Sequence, residues 1–156
     1  MDRKAIDCGS SKLRCVASQS ALHRHTKAES SCPGAIHGVD RKNELQAPYG
    51  IYDAGWYNAS SRPGENGAML IDGHSGIGAT QGIFHDLTKL VAGDDVSVKR
   101  GDGQVFTYKV ADVQVVDKDK VDMTRLLVST DTAKPGLTLI TCAGSQVPGR
   151  SRSNSA

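Results

Sequence analysis

Between residues 67 and 142, glycine, proline and aspartate recur so often that only short extended runs fit between them. That punctuation constrains the fold more than any other feature. GAMLIDG (67–73), DVSVKR (95–100), QVFTYKVADVQVV (104–116), RLLVST (125–130) and LTLITC (137–142) each read as a strand, by β-branched content, alternation or flanking turn residues. Gly101-Asp102-Gly103 predicts a hairpin between two alternating runs, and Lys134-Pro135-Gly136 a tight turn that fixes the register of the last strand. The clearest helical pattern is IFHDLTKL (83–90), with Ile83, Leu87 and Leu90 at i, i+4 and i+7 and Ala92-Gly93 behind it. Strands on short turns with one or two short helices predict a mainly β fold, closed or nearly closed into a barrel, rather than a parallel α/β sheet. At 156 residues with 17 glycines and 4% aromatics, the chain suits one turn-rich β domain.

Residues 1–35 differ in texture. They are polar, rich in serine and basic residues, and carry no sustained period of 2 or 3.6, so they read as a poorly ordered leader ahead of a β-barrel domain over 36–156. The formal charge of +2 divides accordingly: residues 36–142 hold eleven Lys/Arg against fourteen Asp/Glu, so the body is mildly acidic and offers nucleic acid no basic surface. Cys8, Cys15 and Cys32 sit in the leader with His23 and His25, at spacings that match no zinc pattern, so no metal is expected. No secretory signal or 18-residue apolar span is visible.

Three groups could carry chemistry. GHSGIG (73–78) follows an apolar strand, but its G-x-x-G-x-G spacing and the lack of a long helix after it argue against a dinucleotide loop. What it leaves is His74, at a strand end between glycines. His85 falls on the polar side of the short helical pattern and reads as solvated. Cys142 could be a small buried apolar residue, yet it ends its strand beside Ala143-Gly144, which predicts an accessible thiol. A cysteine nucleophile needs a base or imidazolium partner and a donor for the oxyanion. A papain-like hydrolase is disfavoured, because there the cysteine precedes the histidine and opens a helix.

TLITC after a Pro-Gly turn, GH ending an apolar strand, and GWY with RPGENGAMLIDGH resemble a sortase, over about Gly38 to Cys142. The GWY…PG…GH arrangement is most similar to class E and F sortases. The resemblance implies an eight-stranded barrel with Cys142 as nucleophile and His74 as acid/base partner. It implies cleavage of an LPxTG-type sorting signal through a thioacyl intermediate. The acyl group would then pass to an amine of a cell-wall precursor or pilin, at the extracytoplasmic face of a bacterial membrane, in a cofactor-free monomer. The family's catalytic arginine opens an apolar closing strand. Here Arg150 and Arg152 are the candidates, both within AGSQVPGRSRSNSA. Residues 1–35 match neither the family's membrane anchor nor its first strand. The expectation is therefore a chain truncated or frame-shifted at both ends, with the closing strand missing, and the alternative to an enzyme is an impaired barrel that only binds peptide.

Overall fold

The computed structural model describes residues 12–18, 30–33, 35–41 and 44–142. Ten strands run through them in chain order: β1 (Lys12–Ser18), β2 (Ser30–Pro33), β3 (Ala35–His37), β4 (Ala54–Tyr57), β5 (Ala68–Gly73), β6 (Gly76–Ile77), β7 (Thr80–Gln81), β8 (Asp95–Lys99), β9 (Val105–Lys109) and β10 (Gly136–Ile140). They form two four-stranded sheets, ordered β2-β1-β8-β9 and β10-β5-β4-β3, and a two-stranded ribbon, β6-β7. The first sheet is antiparallel throughout. In the second, β5 runs parallel to β10 and antiparallel to β4, and β3 parallel to β4.

The mainly β expectation holds, with corrections. The described residues do not form a continuous closed barrel: β9 pairs with β8 on one side and with no described strand on the other, and β3 and β10 end the second sheet. Residues 12–18 and 30–33, inside the stretch expected to be poorly ordered, are paired strands on the edge of β8. The run 104–116 is a strand only to Lys109, because its partner β8 begins at Asp95. Val110 still bonds backbone to backbone with Asp94 and Gly93, after which Val113, Val115 and Val116 are exposed. The helix expected at 83–90 shrinks to a 3₁₀ turn at Leu87–Lys89, since no side chain caps it and the buried Leu90 is already extended. RLLVST is no strand: Asp122 accepts a hydrogen bond from the Thr124 amide and caps one helical turn, α1 (Met123–Leu126).

The predicted hairpin turn forms, whereas the second turn lies earlier than expected: the Lys134 amide donates to Asp131 O, and Pro135 leads straight into β10 at Gly136. Gly103, at φ 91°, closes the β8–β9 hairpin, and the Gly136 amide donates to Gly67 O at 2.7 Å as β10 enters the sheet. The core lies where the sheets meet. Val98 of β8 packs with Ala54, Met69 and Ile71 of the second sheet and with Phe84, flanked by Trp56, Tyr108, Leu137 and Leu139. Burying each of Met69, Ile71 and Val98 stabilises by roughly 1.5–3 kcal/mol before ordering entropy is subtracted. β5, central in its sheet and wholly buried, is the rigid element from which the site projects.

Candidate active site

The parallel pairing of β10 with β5 places the two principal candidates together. Gly136 pairs with Ala68 and Ile140 with Asp72, a constant offset of 68 residues. Continued two residues past the end of the ladder, that offset sets Cys142 beside His74. The chains stay together at the intervening step, where the Thr141 hydroxyl donates to Gly73 O at 2.8 Å. Neighbouring strands lie about 4.8 Å apart, so the backbones of His74 and Cys142 are adjacent.

Side-chain alternation divides the sheet. Met69, Ile71, Leu137 and Leu139 belong to the apolar cluster, so Leu70 and Asp72 on β5, and Thr138 and Ile140 on β10, take the opposite face, and the same alternation carried past the strand ends assigns His74 and Cys142 to it. Ser60 and Leu126 meet that face: the Leu70 amide donates to Ser60 Oγ at 3.0 Å and the Thr138 hydroxyl to Leu126 O at 2.8 Å. Cys142 is exposed and unbridged. A thiol can be attacked or attack only where a reagent can reach it, and this one is reachable.

His74 is held at both ends. Its Nε2 lies 2.8 Å from Pro48 O, and because a carbonyl only accepts, Nε2 carries the proton and Nδ1 is the nitrogen free to exchange one. Its own carbonyl accepts from the Phe84 amide at 2.9 Å, and the Ile83 amide donates to Ile51 O, so the 82–84 turn clamps the 48–51 loop over the histidine. Gly82 permits this closeness, since a Cβ there would collide with the His74 carbonyl oxygen. The glycine-rich stretch after His74 continues into the β6–β7 ribbon, not into a helix.

Asp72 and Ser60 went unrecognised in the sequence. Asp72 is only 7% exposed, its Oδ1 has no hydrogen-bond partner among the described residues, and burial pushes its carboxyl up to about 6 while its backbone amide and His74 act the other way. The signal was an acid inside the otherwise apolar AMLI-D-G. Ser60 Oγ accepts from Trp56 Nε1 at 2.9 Å and donates to Tyr57 O at 2.6 Å while receiving the Leu70 amide, which ties β4 to β5 beside the GWY stretch. His85, as expected, is exposed, with Nδ1 3.2 Å from Ser75 O. Arg150 and Arg152 lie outside the described residues. Among the described residues, no three or more His, Cys, Asp or Glu side chains gather to hold a metal ion.

Comparison with known proteins bears on the same residues. The sequence profile of the sortase domain matches residues 35–154. Among solved structures, sortase A from Corynebacterium diphtheriae superposes with a TM-score of 0.57 at 21% identity, covering 87% of this chain and 54% of that one. The pilus-related sortase C of Group B Streptococcus gives 0.50 at 28% identity over 72% of this chain and 59% of its own, and sortase C1 from Streptococcus agalactiae 0.50 at 24% over 70% and 58%. The chain thus spans little more than half the length of these structures. No curated protein sequence matches it.

Proposed function

The chain belongs to the sortase family, and on that premise we propose that it is a cysteine transpeptidase acting on an LPxTG-type sorting signal. The observation that supports this reading is the β5–β10 register, which, continued two residues past the Ile140–Asp72 pair, sets the exposed Cys142 beside His74, whose Nε2 is engaged by Pro48 O.

In this reading Cys142 Sγ, as thiolate, attacks the threonine carbonyl carbon of the signal. The carbonyl π electrons move onto oxygen, and the tetrahedral species collapses by breaking the Thr–Gly C–N bond. Protonated His74 delivers its Nδ1 proton to the departing glycine nitrogen, leaving a thioester on Cys142. An acceptor amine then attacks the thioester, gives a proton back to Nδ1, and expels the thiolate; water in place of the amine gives hydrolysis. The Nε2–H to Pro48 O bond keeps the ring in the tautomer and orientation this exchange requires. Arg150 or Arg152, which follow Pro148-Gly149 in the sequence and lie outside the described residues, is the candidate donor to the oxyanion.

The acceptor in this reading is an amine of a cell-wall precursor or pilin, which places the work on the extracytoplasmic face of a membrane. The class E/F affinity rests on GWY…PG…GH. Among the described residues no helix is long and apolar enough to cross a bilayer.

Incubating the full chain with an LPxTG peptide and a primary amine tests the reading. Cleavage between Thr and Gly with amine incorporation is expected, and His74→Ala should lower the rate by about 10²–10⁴-fold. A His74→Ala variant as fast as the parent overturns the assignment. Peptide binding without cleavage by the parent would favour the binding-only alternative.

A further inference from the structure

The ladder between β5 and β10 stops short of the two residues it serves. Its last pair is Ile140 with Asp72, and Cys142 and His74 lie two residues further on. At the step between, a side chain takes over from the backbone: the Thr141 hydroxyl donates to Gly73 O at 2.8 Å. The accepting side of that bond is firmly held. Gly73 is buried at the end of β5 and pairs with Ala54 of β4, and a Cβ on it would strike the Phe84 ring. The Phe84 amide in turn donates to the His74 carbonyl at 2.9 Å. The donating side is an exception to its pattern. Leu137 and Leu139 pack into the apolar cluster, and alternation assigns residue 141 to their face, where a polar threonine stands in place of a third apolar residue.

We propose that Thr141 is a positioning residue whose hydroxyl latches the end of β10 to the rigid end of β5 and so holds Cys142 in working geometry with His74. Each partner of the latch is the chain neighbour of one site residue, so the bond fixes the two backbones where they enter the site. Threonine suits the task because its branched Cβ restricts χ1, which makes the link stiff. Without the bond, Thr141 and Cys142 extend past the last ladder pair with nothing on the β5 side to set their distance. Reacting groups displaced by about 1 Å can lose about 10²-fold in rate, so a latch at this step matters more than its single hydrogen bond suggests. Thr138 supplies an internal comparison. Its hydroxyl also makes a 2.8 Å bond to a backbone carbonyl, that of Leu126, but from within the strand and away from the strand ends that meet at the site.

The inference takes its functional meaning from the transpeptidase reading, but its test does not require turnover. Alkylation of Cys142 by iodoacetamide is followed in the full chain by mass spectrometry of the fragment that contains it, which separates it from Cys8, Cys15 and Cys32. In the parent, His74→Ala should slow alkylation several-fold, since a thiol acts through its thiolate and the histidine promotes it. In Thr141→Val, which keeps the shape and removes the donor, most of that dependence on His74 should vanish, and Thr141→Ser should restore it. Thr138→Val, which removes a bond of the same length, should keep the dependence at the parent level. Full His74 dependence in Thr141→Val overturns the proposal, as does its absence in the parent, where there would be nothing to position. Equal loss in Thr138→Val would reduce Thr141 to general strand stability and also overturn it. In the cleavage assay Thr141→Val should lower kcat by about 10–10²-fold with peptide KM little changed, and a change confined to KM would contradict the latch. Failure of the parent chain to cleave any peptide counts against the transpeptidase reading alone, since the alkylation series decides the latch by itself.

Discussion

Replacing Asp72 by asparagine should stabilise the protein at alkaline pH and leave it nearly unchanged in acid. The carboxyl is 7% exposed and its pKa rises from 3.8 to about 6 on folding, chiefly through burial. Folded Asp72 therefore keeps a proton that the unfolded chain sheds. As pH climbs from about 4 to 6, the unfolded state binds fewer protons than the folded one and stability falls; above about 6 the whole cost is in place. A difference of about 2 pH units corresponds to at most about 3 kcal/mol. Relaxation and screening around the carboxylate bring the expected gain of Asp72→Asn nearer 1–2 kcal/mol at pH 8. For a domain of this size that raises Tm by about 3–8 °C. Thermal unfolding followed by circular dichroism at pH 8 and pH 4, with thiols kept reduced, reads it directly. The gain should be several degrees at pH 8 and under about 1 °C at pH 4. An equal shift at both pH values would mean that packing, not charge, sets the cost, and a lower Tm at pH 8 would mean that the carboxylate is stabilised by a partner and the reasoning is wrong.

Other consequences follow from particular contacts. Ser60→Ala strands Trp56 Nε1 and the Leu70 amide together, so it should cost about 2 kcal/mol in urea unfolding, whereas Ser60→Thr should recover part of that. Gly82→Ala forces a methyl against the His74 carbonyl; it should destabilise by about 1–3 kcal/mol and slow peptide cleavage more than its stability loss explains, both measurable on the purified variant. Deleting residues 1–35, polar and without apolar periodicity, should lower Tm by less than about 5 °C, and a larger drop would show that β1 and β2 pack with real energy. In the cleavage assay, an Arg150→Ala/Arg152→Ala double variant as fast as the parent would show that neither arginine supports the oxyanion.

The parts of this molecule legible in the sequence are those in which local chemistry decides. Gly101-Asp102-Gly103 dictates its turn by backbone preference, and the bounds of β5, β8 and β10 lie within two residues of such punctuation, although the turn before β10 closes at Asp131–Lys134 instead of at Lys134-Pro135-Gly136. The approach of His74 to Cys142 was legible only as two strand ends of similar character; the pairing that joins them is set by tertiary structure, 68 residues apart. Where propensity and context disagreed, context won. RLLVST has strand composition, but Asp122 caps a helical turn, and 110–116 alternates well but finds no partner beyond the start of β8. Asp72 is hard to read from sequence because an acid in an apolar strand breaks the pattern by which strands are found, and its burial comes from the neighbouring strands β4 and β10.

The central claim, that Cys142 forms the acyl bond, is tested most directly by mass spectrometry of the full chain after brief exposure to an LPxTG peptide at low acceptor concentration. The account predicts an added mass equal to the peptide up to its threonine. It should map to the fragment containing Cys142, be released by hydroxylamine, and be absent from Cys142→Ala although Cys8, Cys15 and Cys32 remain. An adduct of that mass that persists in Cys142→Ala would contradict the account and place the acyl bond on another residue.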